Sequence, residues 1–179
     1  MSKSSAKPAP GSRPEAVSSI IDKVGGAAGL ALAATSITRK QFIQHAVIAN
    51  LYEIEAARIA LQRARRKDVK EAARAMLADH EKMGSELLSF IGGTNAPQLP
   101  PESLDTVHRL LIDNLHGASD EAFDTRYIDQ QKLAHREAIT LFRTYSKTGR
   151  DGGLLNLAKL ALPILQKHLE MVQELEKTS

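Results

Sequence analysis

Hydrophobic positions recur with a helical period along most of the chain. From Thr38 onward, apolar residues repeat at spacings of three and four, the period of one helix face. We predict a first helix that is capped by Thr38 and runs to about Arg65. A second begins near Asp68 and ends at the glycine pair 92–93. Residues 95–103, NAPQLPPES, are rich in helix breakers and form a connection.

The second half of the chain repeats this pattern. Ser103 is predicted to open a short helix over LDTVHRLLIDNLHG, and Asp120 to start a third long helix that ends near Ser146. A fourth spans residues 154–176 and holds Pro163, where we expect a kink. Four long helices, with a short extra helix between the second and third, predict an all-α fold, an antiparallel four-helix bundle.

The bundle is expected to occupy residues 38–177 as one domain, after a disordered or loosely ordered segment over residues 1–37. Within that segment, residues 24–36 form an apolar run of small residues, with Ala31 and Ala33 spaced as in a signal-peptide cleavage site. The weak hydrophobicity of the run, its glycines and the acidic residues before it favour an uncleaved segment. It is too short to span a bilayer, so no transmembrane segment is predicted.

The composition limits which metal ligands, nucleophiles and partners are possible. Cysteine is absent, which excludes disulfides, thiolate metal ligands and a cysteine nucleophile, so any metal must be held by nitrogen and oxygen. The net charge is +3, but the basic residues are dispersed apart from RARRK at 63–67. That run lacks interleaved aromatic residues and is expected to be a solvated helix end, so no nucleic-acid partner is predicted.

Each long helix carries one acidic or imidazole side chain at the centre of its apolar stripe. These four residues are Glu53, His80, His135 and His168.

The four residues are also predicted to lie at similar heights. Glu53 and His80 flank a turn near Arg66 at almost equal separations, which place both about 20 Å from it at about 1.5 Å per residue. His135 and His168 flank a turn near Arg150 with an offset of about one helical turn. We therefore expect the four side chains to converge in the interior.

Two interpretations of this convergence remain open, because buried polar groups need partners. In the first, the four side chains bind one divalent metal ion, such as zinc, iron or manganese, with Asn50 and Gln131 as hydrogen-bonding neighbours. In the second, Glu53 accepts a hydrogen bond from a histidine, and Asn50 or Gln131 completes a metal-free network. Neither interpretation involves an organic cofactor.

The other histidines, Asp124 and Tyr127 are not expected to be metal ligands. His45 lies at the edge of the first helix's apolar face, and His108 and His116 are expected on a solvated face. Asp124 and Tyr127 are interpreted as structural hydrogen-bonding residues near one end of the bundle.

Four phrases resemble a bacterial family known only as a domain of unknown function, which is grouped with the ferritin-like superfamily and often labelled an outer-membrane protein. They are NLYEIEAARIAL, DVKEAARAMLADHEKMGSEL, FDTRYIDQQKLAHREAITLF and LALPILQKHLEMVQEL. The resemblance covers about residues 40–176 and implies a ferritin-like bundle, but no reaction. The weak signal-peptide pattern favours the cytoplasm, whereas the family resemblance favours the periplasm.

The sequence departs from di-iron ferritin-like proteins, which use two Glu-x-x-His motifs. Leu77, Lys132 and Leu165 stand three residues before the central histidines, so di-iron chemistry is not expected. A non-catalytic metal-binding bundle that acts in stress or envelope physiology is the preferred hypothesis. The alternatives are a mononuclear metal-dependent redox enzyme, and a structural or self-associating bundle with a metal-free polar core.

Overall fold

The computed structural model describes residues 37–92 and 103–178, and within these ranges it is entirely α-helical. Four helices are long and one is short. They are α1 (Arg39–Arg63), α2 (Lys67–Gly92), α3 (Thr106–Gly117), α4 (Phe123–Thr148) and α5 (Gly152–Lys177).

Side-chain caps account for three of the helix starts. Thr38 begins α1 with a capping box, because its hydroxyl accepts from the Gln41 backbone and the Gln41 side chain accepts from the Thr38 backbone. Asp151 accepts a hydrogen bond from the backbone N–H of Leu154 at the start of α5. Asp105 does the same for His108 at the start of α3.

Two predicted helix starts were too early, one by two residues and the other by three. The short helix begins after Asp105 rather than at Ser103, because the Asp105 carboxylate supplies the cap. The third long helix begins at Phe123 and not at Asp120, whose carboxylate instead pairs with Arg63 across 3.2 Å. Pro163 lies within α5 and is exposed.

The four long helices pack in a closed ring, in which α1 contacts α2 and α4, and α5 contacts the same two helices. At one end, Arg39 binds Asp151 at 2.8 Å, which places the starts of α1 and α5 together. At the other end, Arg66 donates to the carbonyl of Leu175, near the end of α5. Neighbouring long helices therefore run antiparallel.

The chain between α2 and α4 crosses from one end of this ring to the other. Helix α2 ends beside Arg39, since the Arg39 guanidinium donates to the carbonyl of Phe90 at 3.5 Å. Helix α4 begins at the opposite end, where Asp124 contacts the connection between α1 and α2. The short helix α3 belongs to this crossing segment and packs against α1 and α4.

Two apolar clusters fill the interior, one on each side of a layer of polar side chains. The cluster nearer the start of α1 includes Phe42, Leu87, Phe142 and Leu157. The cluster nearer the end of α1 includes Tyr52, Met76, Tyr127 and Val172. Burial of this apolar surface from all four long helices is the main force that holds them together.

Predictions for residues 1–36 and for most of the breaker-rich connection lie outside the described residues. Within the described ranges, no helix has both the length and the apolar character needed to cross a membrane.

Asp124 fixes the turn between α1 and α2. It is buried, and its carboxylate accepts from the backbone N–H groups of Arg65 and Arg66 at 3.1 and 2.9 Å. We expect Asp124→Ala to lower the free energy of unfolding by about 1–3 kcal/mol, because it removes a buried acceptor shared by two part-buried backbone N–H groups. Urea denaturation would measure this loss. Asp120→Ala is the control, since its side chain is 76% exposed and its ion pair should contribute little.

Candidate metal centre

The structure buries all four residues that the sequence places at the centres of the apolar stripes. Glu53 is 3% exposed, His80 2%, His135 0% and His168 1%. Each comes from a different long helix, and each lies between the two apolar clusters. We call these four residues the polar layer.

The three imidazoles of the polar layer form a compact cluster. Their ring centroids are 5.3–5.8 Å apart. One nitrogen from each of His80, His135 and His168 lies within 4.8 Å of the other two. The structure therefore contains a buried group of three histidines that could hold a metal ion.

His80 is oriented by α1. Its Nδ1 lies 3.1 Å from Oδ1 of Asn50, which can only accept, so Nδ1 carries the proton. The neutral ring then has a lone pair on Nε2, an atom that is buried and has no hydrogen-bond partner. Gly84 provides the space for this arrangement, since a Cβ there would lie 2.7 Å from Nδ2 of Asn50.

His135 is oriented by its own helix. Its Nδ1 lies 2.9 Å from the backbone carbonyl of Gln131, and therefore donates to it. The lone pair of the neutral ring is on Nε2, which faces Nδ1 of His168 at 3.3 Å.

His168 is oriented by a carboxylate on α2. Its Nε2 lies 2.9 Å from Oδ2 of Asp79, whose side chain is 42% exposed. When Nε2 donates to Asp79, the neutral ring turns the lone pair of Nδ1 toward His135. Two lone pairs that face each other across 3.3 Å repel unless a cation lies between them.

The three orientations share one pattern, in which one N–H of each ring is hydrogen-bonded to a group outside the cluster and the other nitrogen keeps a lone pair. The lone pairs of His135 and His168 face each other, and that of His80 is buried without a hydrogen-bond partner. Metal-binding histidines use an amide, carbonyl or carboxylate in this way to fix the ring and its tautomer. The separation between His135 Nε2 and His168 Nδ1 also equals the distance of about 3.3 Å between two nitrogens on a tetrahedral ion with bonds of about 2.0–2.1 Å.

Burial keeps the imidazoles neutral. It lowers the pKa of His135 to about 4, and it lowers the pKa of His80 well below its usual value, with the nearby imidazoles adding to the effect. Burial also lowers the pKa of His168, although the Asp79 carboxylate opposes this change. A metal ion would therefore meet lone pairs rather than bound protons at neutral pH.

Glu53 lies beside the imidazole cluster, but its oxygens lie outside the group of ligand atoms that are all within 4.8 Å of one another. Its Oε1 is 3.6 Å from Nδ1 of His135, and its Oε2 is buried without a hydrogen-bond partner. Burial raises the pKa of Glu53 to about 7, and the adjacent Gln131 amide and His168 oppose this rise. Burial of the carboxyl group therefore disfavours its charged form.

Asn50 and Gln131 were predicted to surround the cluster. Asn50 is the hydrogen-bond partner of His80, and Gln131 contributes its backbone carbonyl to His135. The side-chain amide of Gln131 is fully buried beside the Glu53 carboxyl group.

Asp79 is the site residue that sequence reasoning missed. It is half-exposed and lies off the centre of the apolar stripe of α2, so the hydrophobic pattern gives it no special place. The available signal was its position directly before His80. Adjacent residues on a helix point in different directions, so His80 can face the interior while Asp79 contacts a residue of another helix.

The remaining histidines and Asp124 lie outside the cluster. His108 is partly buried and lies 2.8 Å from Asp105, and His116 is exposed. Asp124 caps a turn, as predicted for a structural residue, and the Tyr127 hydroxyl contacts Sδ of Met76 at 3.6 Å.

The chain belongs to a protein family described as a domain of unknown function, DUF4142, whose model matches residues 26–175. No curated protein and no solved structure matches the chain. The family's description assigns no activity.

The substitution Gly84→Ala tests whether the Asn50 amide fixes the orientation and tautomer of the His80 ring. The new methyl group would displace the Asn50 amide, so we expect His80 to lose its fixed tautomer and the protein to lose about 1–3 kcal/mol of stability. The ring nitrogen chemical shifts of His80 in NMR spectra would report the tautomer, and thermal unfolding the stability. Gly117→Ala is the matched control, because a Cβ there meets no atom within 4 Å. Unchanged His80 shifts in Gly84→Ala would contradict this account of the ring's orientation.

Proposed function

We propose that this protein binds one divalent transition-metal ion through His80, His135 and His168, with Glu53 as the fourth ligand. The observation that carries the proposal is the common orientation of the three imidazoles. Each has its outer N–H bonded to Asn50, Gln131 or Asp79, and each keeps its lone pair for the interior.

Glu53 is included because its Oε2 has no other partner. A buried carboxylate oxygen without a hydrogen bond is costly, and a metal ion beside the imidazoles would satisfy it. Three neutral imidazoles and one carboxylate form a ligand set that suits zinc and iron best and manganese less well.

A metal-free network with one protonated histidine accounts for fewer of the contacts than a metal ion does. A protonated His168 could donate to both Asp79 and His135, and this would complete the chain that ends at the Gln131 carbonyl. It would leave Nε2 of His80 and Oε2 of Glu53 buried without partners. We therefore favour the metal over the metal-free network.

We further propose that the long helices form a ferritin-like four-helix bundle. Support comes from the antiparallel neighbours and from the long connection that crosses between the two ends, both of which occur in that fold. The site would differ from di-iron ferritin-like sites in holding one ion, because three imidazoles and one carboxylate are too few ligands for two metals.

Metal titration tests the proposal. For protein purified without a His-tag and stripped by chelator, we expect one Zn²⁺ or Co²⁺ ion to bind per chain. Because the unfolded chain lacks the site, stability should rise by about 2.7 kcal/mol at a metal concentration about 100 times the dissociation constant. His135→Ala should weaken binding by more than about 100-fold, whereas the exposed His116→Ala should not. Identical melting with chelator and with each metal would reject the proposal.

Asp79 provides a second test that leaves all proposed ligands in place. Asp79→Ala removes the acceptor for Nε2–H of His168, so that the ring can adopt the other tautomer. Loss of such a partner typically costs about 10–100-fold in metal affinity, and we expect a decrease in that range. Glu81→Ala is the control, since Glu81 is an exposed acidic residue on the same helix that pairs with Arg58. Equal metal affinities for the two variants would show that Asp79 does not orient His168.

A further inference from the structure

A small cavity borders the polar layer on one side. Its volume is about 10 Å³, about the space that one water molecule needs. The cavity is lined by Ala46, Ala49, Asn50, Glu53, His80, Met83, Ala138, Phe142 and Leu165.

The position of the cavity follows from the helix repeat. Met83 lies three residues after His80, Ala138 three after His135, and Leu165 three before His168. With antiparallel neighbours, these offsets all point toward the end of the ring where α1 begins. All four long helices therefore contribute to a cavity that lies about one turn from the imidazole cluster along the axis.

Large buried side chains lie on the other side of the polar layer. Met76, Tyr127 and Gln131 lie there, and each is at most 1% exposed. The Tyr127 hydroxyl contacts the Met76 sulfur, and this contact joins α4 to α2 on this side. A ligand that reaches the polar layer thus has room on the cavity side.

The cavity is lined by both polar and apolar side chains. Glu53 and His80 face it from the polar layer, and each has a buried atom without a hydrogen-bond partner. Ala46, Phe142 and Leu165 make the remaining wall apolar. Asn50 adds one amide to the wall, but no lysine or arginine lines it. A molecule in this cavity would have one end at the metal and the other against a mostly apolar wall, with no cationic side chain to bind a second charged atom.

We propose that the metal keeps one exchangeable coordination position that opens into this cavity and accepts an uncharged ligand of one or two heavy atoms. This inference rests on the metal site proposed above. Water occupies the position at rest, and a diatomic gas such as nitric oxide or dioxygen is the class of ligand that replaces it. A linear triatomic anion such as azide is too long for the cavity and would place its charge against apolar side chains.

The first experiment uses the wild-type chain loaded with one metal ion, with stoichiometry measured beforehand by elemental analysis. Nitric oxide added to the Fe²⁺ protein without oxygen should give the EPR signal of an iron–nitrosyl centre. Azide added to the Co²⁺ protein should leave the visible absorption bands of the cobalt unchanged. A metal-loaded protein that gives no nitrosyl signal, or that binds azide, would overturn the inference and leave the metal site intact. Failure to retain metal would instead reject the site itself.

The second experiment fills the cavity. Ala46 and Ala60 lie two turns before and two turns after Glu53 on α1, and both are buried, but only Ala46 lines the cavity. We expect Ala46→Val to weaken nitric oxide binding by about tenfold or more and Ala60→Val to leave it unchanged, with one metal ion retained in both. Equal nitric oxide affinities in two metal-loaded variants would show that the ligand does not occupy the cavity. If Ala46→Val does not fold, the wild-type comparison of nitric oxide with azide decides the question.

Discussion

A neutral imidazole has one donor and one acceptor, and a water-free interior requires a partner for each. Three such rings lie together here, and this constraint determines much of the architecture around them. Each long helix contributes one residue to the polar layer, and the donors are satisfied by Asn50, the Gln131 carbonyl and Asp79. The acceptors of His135 and His168 are left facing each other, and that of His80 has no hydrogen-bond partner. The apolar clusters on both sides separate the three rings from bulk water, so few other partners are available to them.

The hydrophobic repeat was sufficient to predict the helices and the four polar residues. Glu53, His80, His135 and His168 stood out because each interrupts the centre of an apolar stripe, and a centre position on a long helix is buried whatever its neighbours are. Helix ends were harder to predict. Asp105 and Asp120 are both plausible caps by residue type, yet Asp105 caps α3 whereas Asp120 pairs with Arg63, a choice that depends on which helix lies alongside.

The hydrogen bonds around the imidazoles could not be assigned from periodicity. Asp79 meets His168 although the two are 89 residues apart, and nothing in either helix alone specifies that contact. The orientation of His80 depends on the absence of a side chain at Gly84, which a hydropathy pattern counts merely as a weak apolar position. The crossing of the chain between the two ends is likewise a tertiary feature, since it follows from which helix ends contact each other.

The connection that crosses between α2 and α4 affects how the polar layer forms during folding. Helices α1 and α2 form one antiparallel hairpin, and helices α4 and α5 form another. Glu53 and His80 belong to the first hairpin, and His135 and His168 belong to the second, so neither half holds all three imidazoles. The cluster comes into existence only when the halves dock, after the slow closure of a long loop. An ion bound there would act as a cross-link between the halves, and it would hold them together even if the covalent connection between α2 and α4 were cut.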